Sequence, residues 1–103
     1  METELRRGAV QLVTLILLEK PRYGYDLVRQ LAAAGFEVEE GTLYPILRRL
    51  EQQGLLSSTW NTDGSRPRKY YELSEEGRRH KQELVDAWRR VRDATDAAVE
   101  GRL

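Results

Sequence analysis

Arg48, Arg49, Arg66, Arg68 and Lys69 stand close together in the middle of the chain, and between Gly41 and Tyr71 only Glu51 and Asp63 oppose them. Five bases less two acids leave a local excess of three positive charges in a chain of formal net charge zero. Guanidinium groups present a fork of N–H donors that matches phosphate oxygens and guanine edges. Their neighbours have compatible chemistry. Thr42 can contact a thymine methyl group, Gln52 can bond an adenine, and Tyr44 can donate its hydroxyl to a phosphate. A solvated helix face would carry the same arginines and glutamine, so this stretch alone leaves both readings open. The polar segment NTDGSRPRK (61–69) ends in three bases within four positions. This second cationic group favours nucleic acid.

Catalysis has little to work with. His80 is the one histidine and sits in the charged run RRHKQE, where a solvated surface role is expected. There is no cysteine, which excludes disulfides and thiolate metal sites. No His-plus-carboxylate metal spacing or Gly-rich phosphate loop appears. A non-enzyme without metal or cofactor is expected. The start METELRRGAV places acids before its arginines, unlike a signal peptide. The apolar run Ala9–Leu18 is too short to span a bilayer. A cytoplasmic protein with no membrane partner is expected. At 103 residues one modest core is available.

The elements that must position these groups can be read from periodicity. The spacing predicts a first helix from Leu5 to Glu19, apolar on nearly every side and stopped by Pro21. A second helix follows from Tyr25 to Ala34, with Leu27, Val28 and Leu31 inward and Gly35 as its stop. Phe36-Glu37-Val38 alternates and predicts a very short strand. In the third helix, ending at Gly54, Leu43, Leu47 and Leu50 point inward and Thr42, Pro45, Arg48, Arg49 and Gln52 outward, with Tyr44 at the edge. Pro45 would distort this helix if it starts near Glu40, and would cost little if Thr42 caps it. Strands are predicted at Leu55–Trp60 and Arg68–Leu73, joined by a turn at Asp63-Gly64. Alternation puts Tyr71 and Leu73 on the core side, and Arg68, Tyr70 and Glu72 on the other. Trp60 is expected to brace the hairpin by cross-strand packing. Ser74 caps a last helix running to about Val99. The resulting fold is mainly α with a small β-hairpin, a winged helix-turn-helix (1–73) followed by a long C-terminal helix (74–103). In such folds the third helix enters the major groove and the hairpin lies beside it.

The last helix is too long for so small a body to cover. Leu84, Trp88, Val91, Thr95 and Ala98 follow a 4, 3, 4, 3 spacing, a seam suited to a partner helix. A homodimer through this helix is expected, with Leu12 and Ile16 of the first helix beside it. Two Trp88 rings near a two-fold axis would either pack together or form a slot for a flat aromatic ligand. A winged-helix module that binds protein rather than double-stranded DNA is the competing reading, which the neutral net charge favours and the basic hairpin tip opposes.

The stretches YGYDL (23–27), GTLYPILRRLEQQGLL (41–56) and GSRPRKYYELSEEG (64–77) resemble the PadR family of bacterial transcriptional regulators, in its branch with a single C-terminal helix. The resemblance implies a homodimeric repressor on a palindromic promoter site. It places Thr42, Tyr44 and Arg48 on the recognition helix, with Arg66, Arg68, Lys69 and Tyr70 on the wing and its base. Tyr25 matches a tyrosine of the second helix that touches phosphate or packs. Trp88 matches a position lining an aromatic-ligand slot. Glu39 departs from the Ser or Asn common before the recognition helix; a carboxylate there can cap the helix or repel a phosphate.

Overall fold

A computed structural model describes residues 3–103. The elements run α1 (Glu4–Leu17), β1 (Arg22–Tyr23), α2 (Gly24–Ala33), α3 (Glu40–Gln52), β2 (Leu56–Asn61), β3 (Arg68–Leu73) and α4 (Glu75–Val99). The three strands form one antiparallel sheet in the order β1-β3-β2. The inward leucines of the periodic reading are the core. Leu27 and Leu31 of α2, Leu43, Leu47 and Leu50 of α3, and Leu15 and Leu18 are fully buried, with Tyr71 and Leu73 closing the sheet side. Thr14 is buried among them, and its hydroxyl donates to the Val10 carbonyl at 2.7 Å. That bond removes the cost of a buried polar group.

Glycine sets the ends of α2 and α3, as Gly101 does for α4. Gly35 and Gly54 adopt positive φ, 102° and 79°. After Gly35 the Phe36 N–H bonds the Leu31 carbonyl at 2.8 Å; after Gly54 the Leu55 N–H bonds the Leu50 carbonyl at 3.0 Å. Both are Schellman closures, in which an apolar residue after the glycine folds back on the helix.

The first closure explains a correction. Phe36-Glu37-Val38 forms no strand: the Phe36 N–H is already committed to α2, and Val38 is buried by the core instead of joining a ladder. The sheet's third strand is β1, whose Arg22 and Tyr23 pair with Tyr71 and Tyr70. Two residues are too few to show any period. The other expected boundaries shift by a residue or two, and β3 falls where alternation put it.

Ser74 caps α4 by accepting from the Gly77 N–H at 3.0 Å and donates to the Gly54 carbonyl at 2.6 Å. One hydroxyl therefore joins the end of α3 to the start of α4. The first turns of α4 pack on α1 and β3. There Lys81 pairs with Glu19, and Arg78 reaches the Glu19 carbonyl at 3.3 Å. Beyond this the helix projects, stretching the molecule to 57 Å against 30 and 19 Å.

The hydrogen bond from Lys81 holds the Glu19 carboxyl below its usual value of 4.5. A lowered folded value means the pair stabilises the fold above the ordinary Glu range. That contribution fades as pH falls through the lowered value. Glu19 is largely exposed, so solvent screening keeps the effect below about 0.5 kcal/mol. In Glu19→Gln the urea midpoint should drop slightly at pH 7, and the gap to the native protein should close as pH falls through the lowered value.

Candidate nucleic-acid interface

α3 begins at Glu40, with Glu39 in the cap position making no side-chain cap bond. The Glu39 carbonyl accepts from the N–H groups of Thr42 and Leu43 at 3.0 Å. Pro45 therefore lies past the first turn and gives no N–H to the Gly41 carbonyl. Both residues are exposed, so water can serve that oxygen. Gly41, Pro45, Arg48 and Gln52 run along the exposed side opposite Leu43, Leu47 and Leu50.

The residues expected on one face divide between two clefts that flank α3. Thr42 and Arg49 open toward α1, into a cleft of about 630 Å³ shared with Arg6, Arg7 and Gln11. Arg49 donates to the Gln11 side chain at 2.8 Å. Tyr44 opens the other way, toward the hairpin. That second cleft, about 660 Å³, brings Tyr44 and Glu40 of α3 together with Tyr25 of α2 and with Trp60, Arg66, Arg68 and Lys69 of the hairpin. Arg48 stands between the two clefts on open surface. Most of the expected set thus lies around α3 and the hairpin, but its members do not point in one direction.

Within the hairpin cleft the cations differ. Arg68 stacks over the Tyr23 ring at 4.6 Å, a contact that fixes the guanidinium while leaving its edge N–H groups open. Lys69 pairs with Glu51 of α3 at 3.6 Å, and Glu51 also accepts from the Ser58 hydroxyl. Arg66, like Arg48, has no side-chain partner among the described residues. Tyr70 is not in the cleft. Its ring lies half-buried and edge-on to Tyr23, centroids 5.4 Å apart.

Trp60 corrects another expectation. It faces Lys69 across the strands but remains 65% exposed, so its ring is offered to the cleft more than it braces the hairpin. His80 is half-buried on α4, less solvated than its charged run suggested.

Two residues of this region have no sequence signal of their own. The Tyr44 ring packs on Gly24, the first residue of α2; a Cβ there would sit 2.7 Å from the ring's Cε1 and Cζ. Burial first, then the neighbouring Glu40 carboxylate, pushes the Tyr44 phenol above its usual value, so it stays a neutral donor. Gly24 does stand inside the YGYDL motif, though its spacing gives no hint that the glycine faces an aromatic ring. Glu51 is the other, an acid that binds one of the wing cations.

A helix-turn-helix with an antiparallel hairpin lying beside its second helix defines a winged-helix protein. Residues 13–83 match the transcriptional regulator PadR-like family. The chain belongs to that family of transcriptional regulators. It is 38% identical to the transcriptional regulator Rv3488 of Mycobacterium tuberculosis, over 73% of this chain and 71% of that one. Its structure superposes on a PadR family transcriptional regulator from Eggerthella lenta with a TM-score of 0.86 and 46% identity, covering 94% of this chain and 87% of the other. A PadR-like regulator from Bacillus cereus gives 0.87 at 26% identity, over 94% and 97%. Among the described residues, no helix is long and apolar enough to cross a membrane.

Proposed function

We propose that the protein is a cytoplasmic repressor that binds a palindromic promoter operator as a homodimer. Each α3 lies in a major groove, the two about 34 Å apart, and each hairpin follows the adjacent backbone. The observation that carries this reading is the pair Arg48 and Arg66, two cations without counter-ions among the described residues, on exposed faces of α3 and the hairpin. Arg66, Arg68 and Lys69 supply phosphate contacts, and Thr42, Arg48 and Arg49 supply sequence preference. Tyr25, 53% exposed, and Tyr44 offer hydroxyls to the phosphates between them, and Tyr70 holds the wing base through Tyr23.

In this reading residues 1–73 bind DNA and 74–103 hold the dimer. Support comes from an apolar row left open on α4. Trp88 and Val91 are 49% and 60% exposed, and Thr95 and Ala98 continue the row. Ile16 and the half-buried Leu12 lie on α1, which packs against α4, whereas Leu84 already rests on the core. A flat aromatic ligand stacked on the paired Trp88 rings would favour a head spacing that the operator does not match.

The test is fluorescence anisotropy on the duplex upstream of the protein's own gene, against a scrambled duplex, over a salt series. Selective binding that weakens steeply with salt is expected. Weak and equal binding to both duplexes at every salt concentration would overturn the operator assignment. Trp88→Glu should sediment as a monomer and lose operator affinity while keeping its helical signal.

The same assay reads the packing of Tyr44. In Gly24→Ala the Tyr44 ring must swing away, which a flexible side chain can do at little cost. Melting should therefore change by less than about 1 kcal/mol. Operator affinity should fall about fivefold, the worth of one hydrogen bond, as in Tyr44→Phe.

A further inference from the structure

The first turn of α3 holds a glycine that no contact within the described residues requires. Gly24 and Gly77 are small because Tyr44 and Leu55 press on them. Gly41 lies inside the helix without a positive φ, and a Cβ built on it would meet nothing within 4 Å. Glycine at an exposed helical position weakens the helix relative to alanine. Where that cost answers to nothing inside the fold, the missing side chain suits the close approach of something outside it. Gly41 stands on the exposed side of α3, in line with Pro45, Arg48 and Gln52. Recognition helices present their N-terminal residues to base edges, so this turn is the part of α3 that leads into the groove.

Pro45 adds a second feature. It has no N–H, so the Gly41 carbonyl lacks its regular helical donor four residues on. With no side chain on Gly41 to cover it, this oxygen is an acceptor on the exposed ridge. The base-edge donors of the major groove are amino groups, N6 of adenine and N4 of cytosine. We infer that the Gly41 carbonyl accepts a hydrogen bond from one of these amino groups, and that the glycine gives the clearance for the groove floor to reach the helix backbone. The inference rests on the operator reading and adds to it a main-chain contact beside the side chains of Thr42, Arg48 and Arg49. Guanine and thymine carry oxygen acceptors where adenine and cytosine carry the amino group. Two facing oxygens repel, so the contact selects against the wrong base as well as for the right one. One position in each half-site is thereby restricted to adenine or cytosine.

The experiment compares Gly41→Ala with the native protein in anisotropy on the upstream and scrambled duplexes, and in thermal melting. The variant should melt about 2–4 °C higher, from helix propensity, yet bind the upstream duplex about tenfold more weakly. Ordinary damage to the fold moves both readings down together. Binding to the scrambled duplex, held by phosphates, should not change. Gly8→Ala, at the other helical glycine with nothing within 4 Å, should gain a similar melting temperature and keep full operator affinity. Undiminished operator affinity in Gly41→Ala would overturn the inference. So would an equal loss on both duplexes, or an equal loss in Gly8→Ala, because neither is local to a base contact.

The base is identified by deleting amino groups one at a time across the bound half-site, with purine in place of adenine and pyrimidin-2-one in place of cytosine. One deletion should weaken the native complex and leave that of Gly41→Ala unchanged, as expected for two groups in contact. If no deletion separates the two proteins, the carbonyl contacts no amino group and the assignment is overturned. Equal binding of the upstream and scrambled duplexes by the native protein is a different failure: it removes the operator reading, and this inference with it.

Discussion

Gly77→Ala should lower the stability by about 3 kcal/mol, or roughly 12–24 °C of melting temperature for a domain of this size. Helix propensity alone predicts the opposite sign, since alanine in a helix is favoured over glycine by about 1 kcal/mol. The reversal comes from packing. A Cβ on Gly77 would lie 1.9 Å from the Leu55 carbonyl oxygen and 2.9 Å from its carbon. Both atoms belong to the backbone. Leu55 cannot move aside, because its N–H closes α3 on Leu50 and its carbonyl accepts from the Ser74 N–H at 3.0 Å. The first turn of α4 would have to lift off, drawing the Ser74 cap and the Leu73 packing with it. Thermal melting followed at a helical wavelength measures this, with a sterically mild variant such as Glu76→Ala for comparison. An unchanged or raised melting temperature would mean that α4 does not seat on Leu55 as described.

Gly77 also shows where reading the sequence stops. The core was legible because Leu27, Leu31, Leu43, Leu47 and Leu50 repeat at helical spacing, and all are fully buried. β3 was legible because Tyr71 and Leu73 alternate with Tyr70 and Glu72, and Ser74 because an acid-rich turn follows it. Close approaches between segments leave no such periodic trace. Gly77 against Leu55 and Gly24 against Tyr44 are contacts between residues distant in the chain, and a glycine in a helix gives no indication of what it faces. β1 was missed for a related reason: its two residues become a strand only because β3 lies alongside. The candidate site was legible in its residue types but not in its directions. Thr42 and Tyr44 are two positions apart, which on a helix turns them roughly 200° from each other, and so they open into different clefts.

Direction also decides how much each wing cation contributes. With both Arg66 and Arg68 replaced by alanine, the slope of log affinity against log salt should fall by about 1.8, because each phosphate neutralised releases about 0.9 counterion. At moderate salt this corresponds to an affinity loss of about 10- to 100-fold. Arg66→Ala alone isolates the electrostatic part. It has no partner to lose among the described residues, so its melting temperature should match the native protein. Arg68 adds a stacking contact on Tyr23, and its removal should cost some stability as well. Lys69→Ala should change the slope by less than one, because Glu51 already balances that ammonium at 3.6 Å. Glu51→Gln then gives the sharpest check. It frees Lys69 for phosphate and removes a negative charge near the backbone, so operator affinity at low salt should rise and the slope should steepen. Unchanged slopes in the double arginine variant would detach the hairpin from DNA. A weaker operator complex in Glu51→Gln would instead mean that Glu51 holds the wing in its binding position, through Ser58 as well as Lys69.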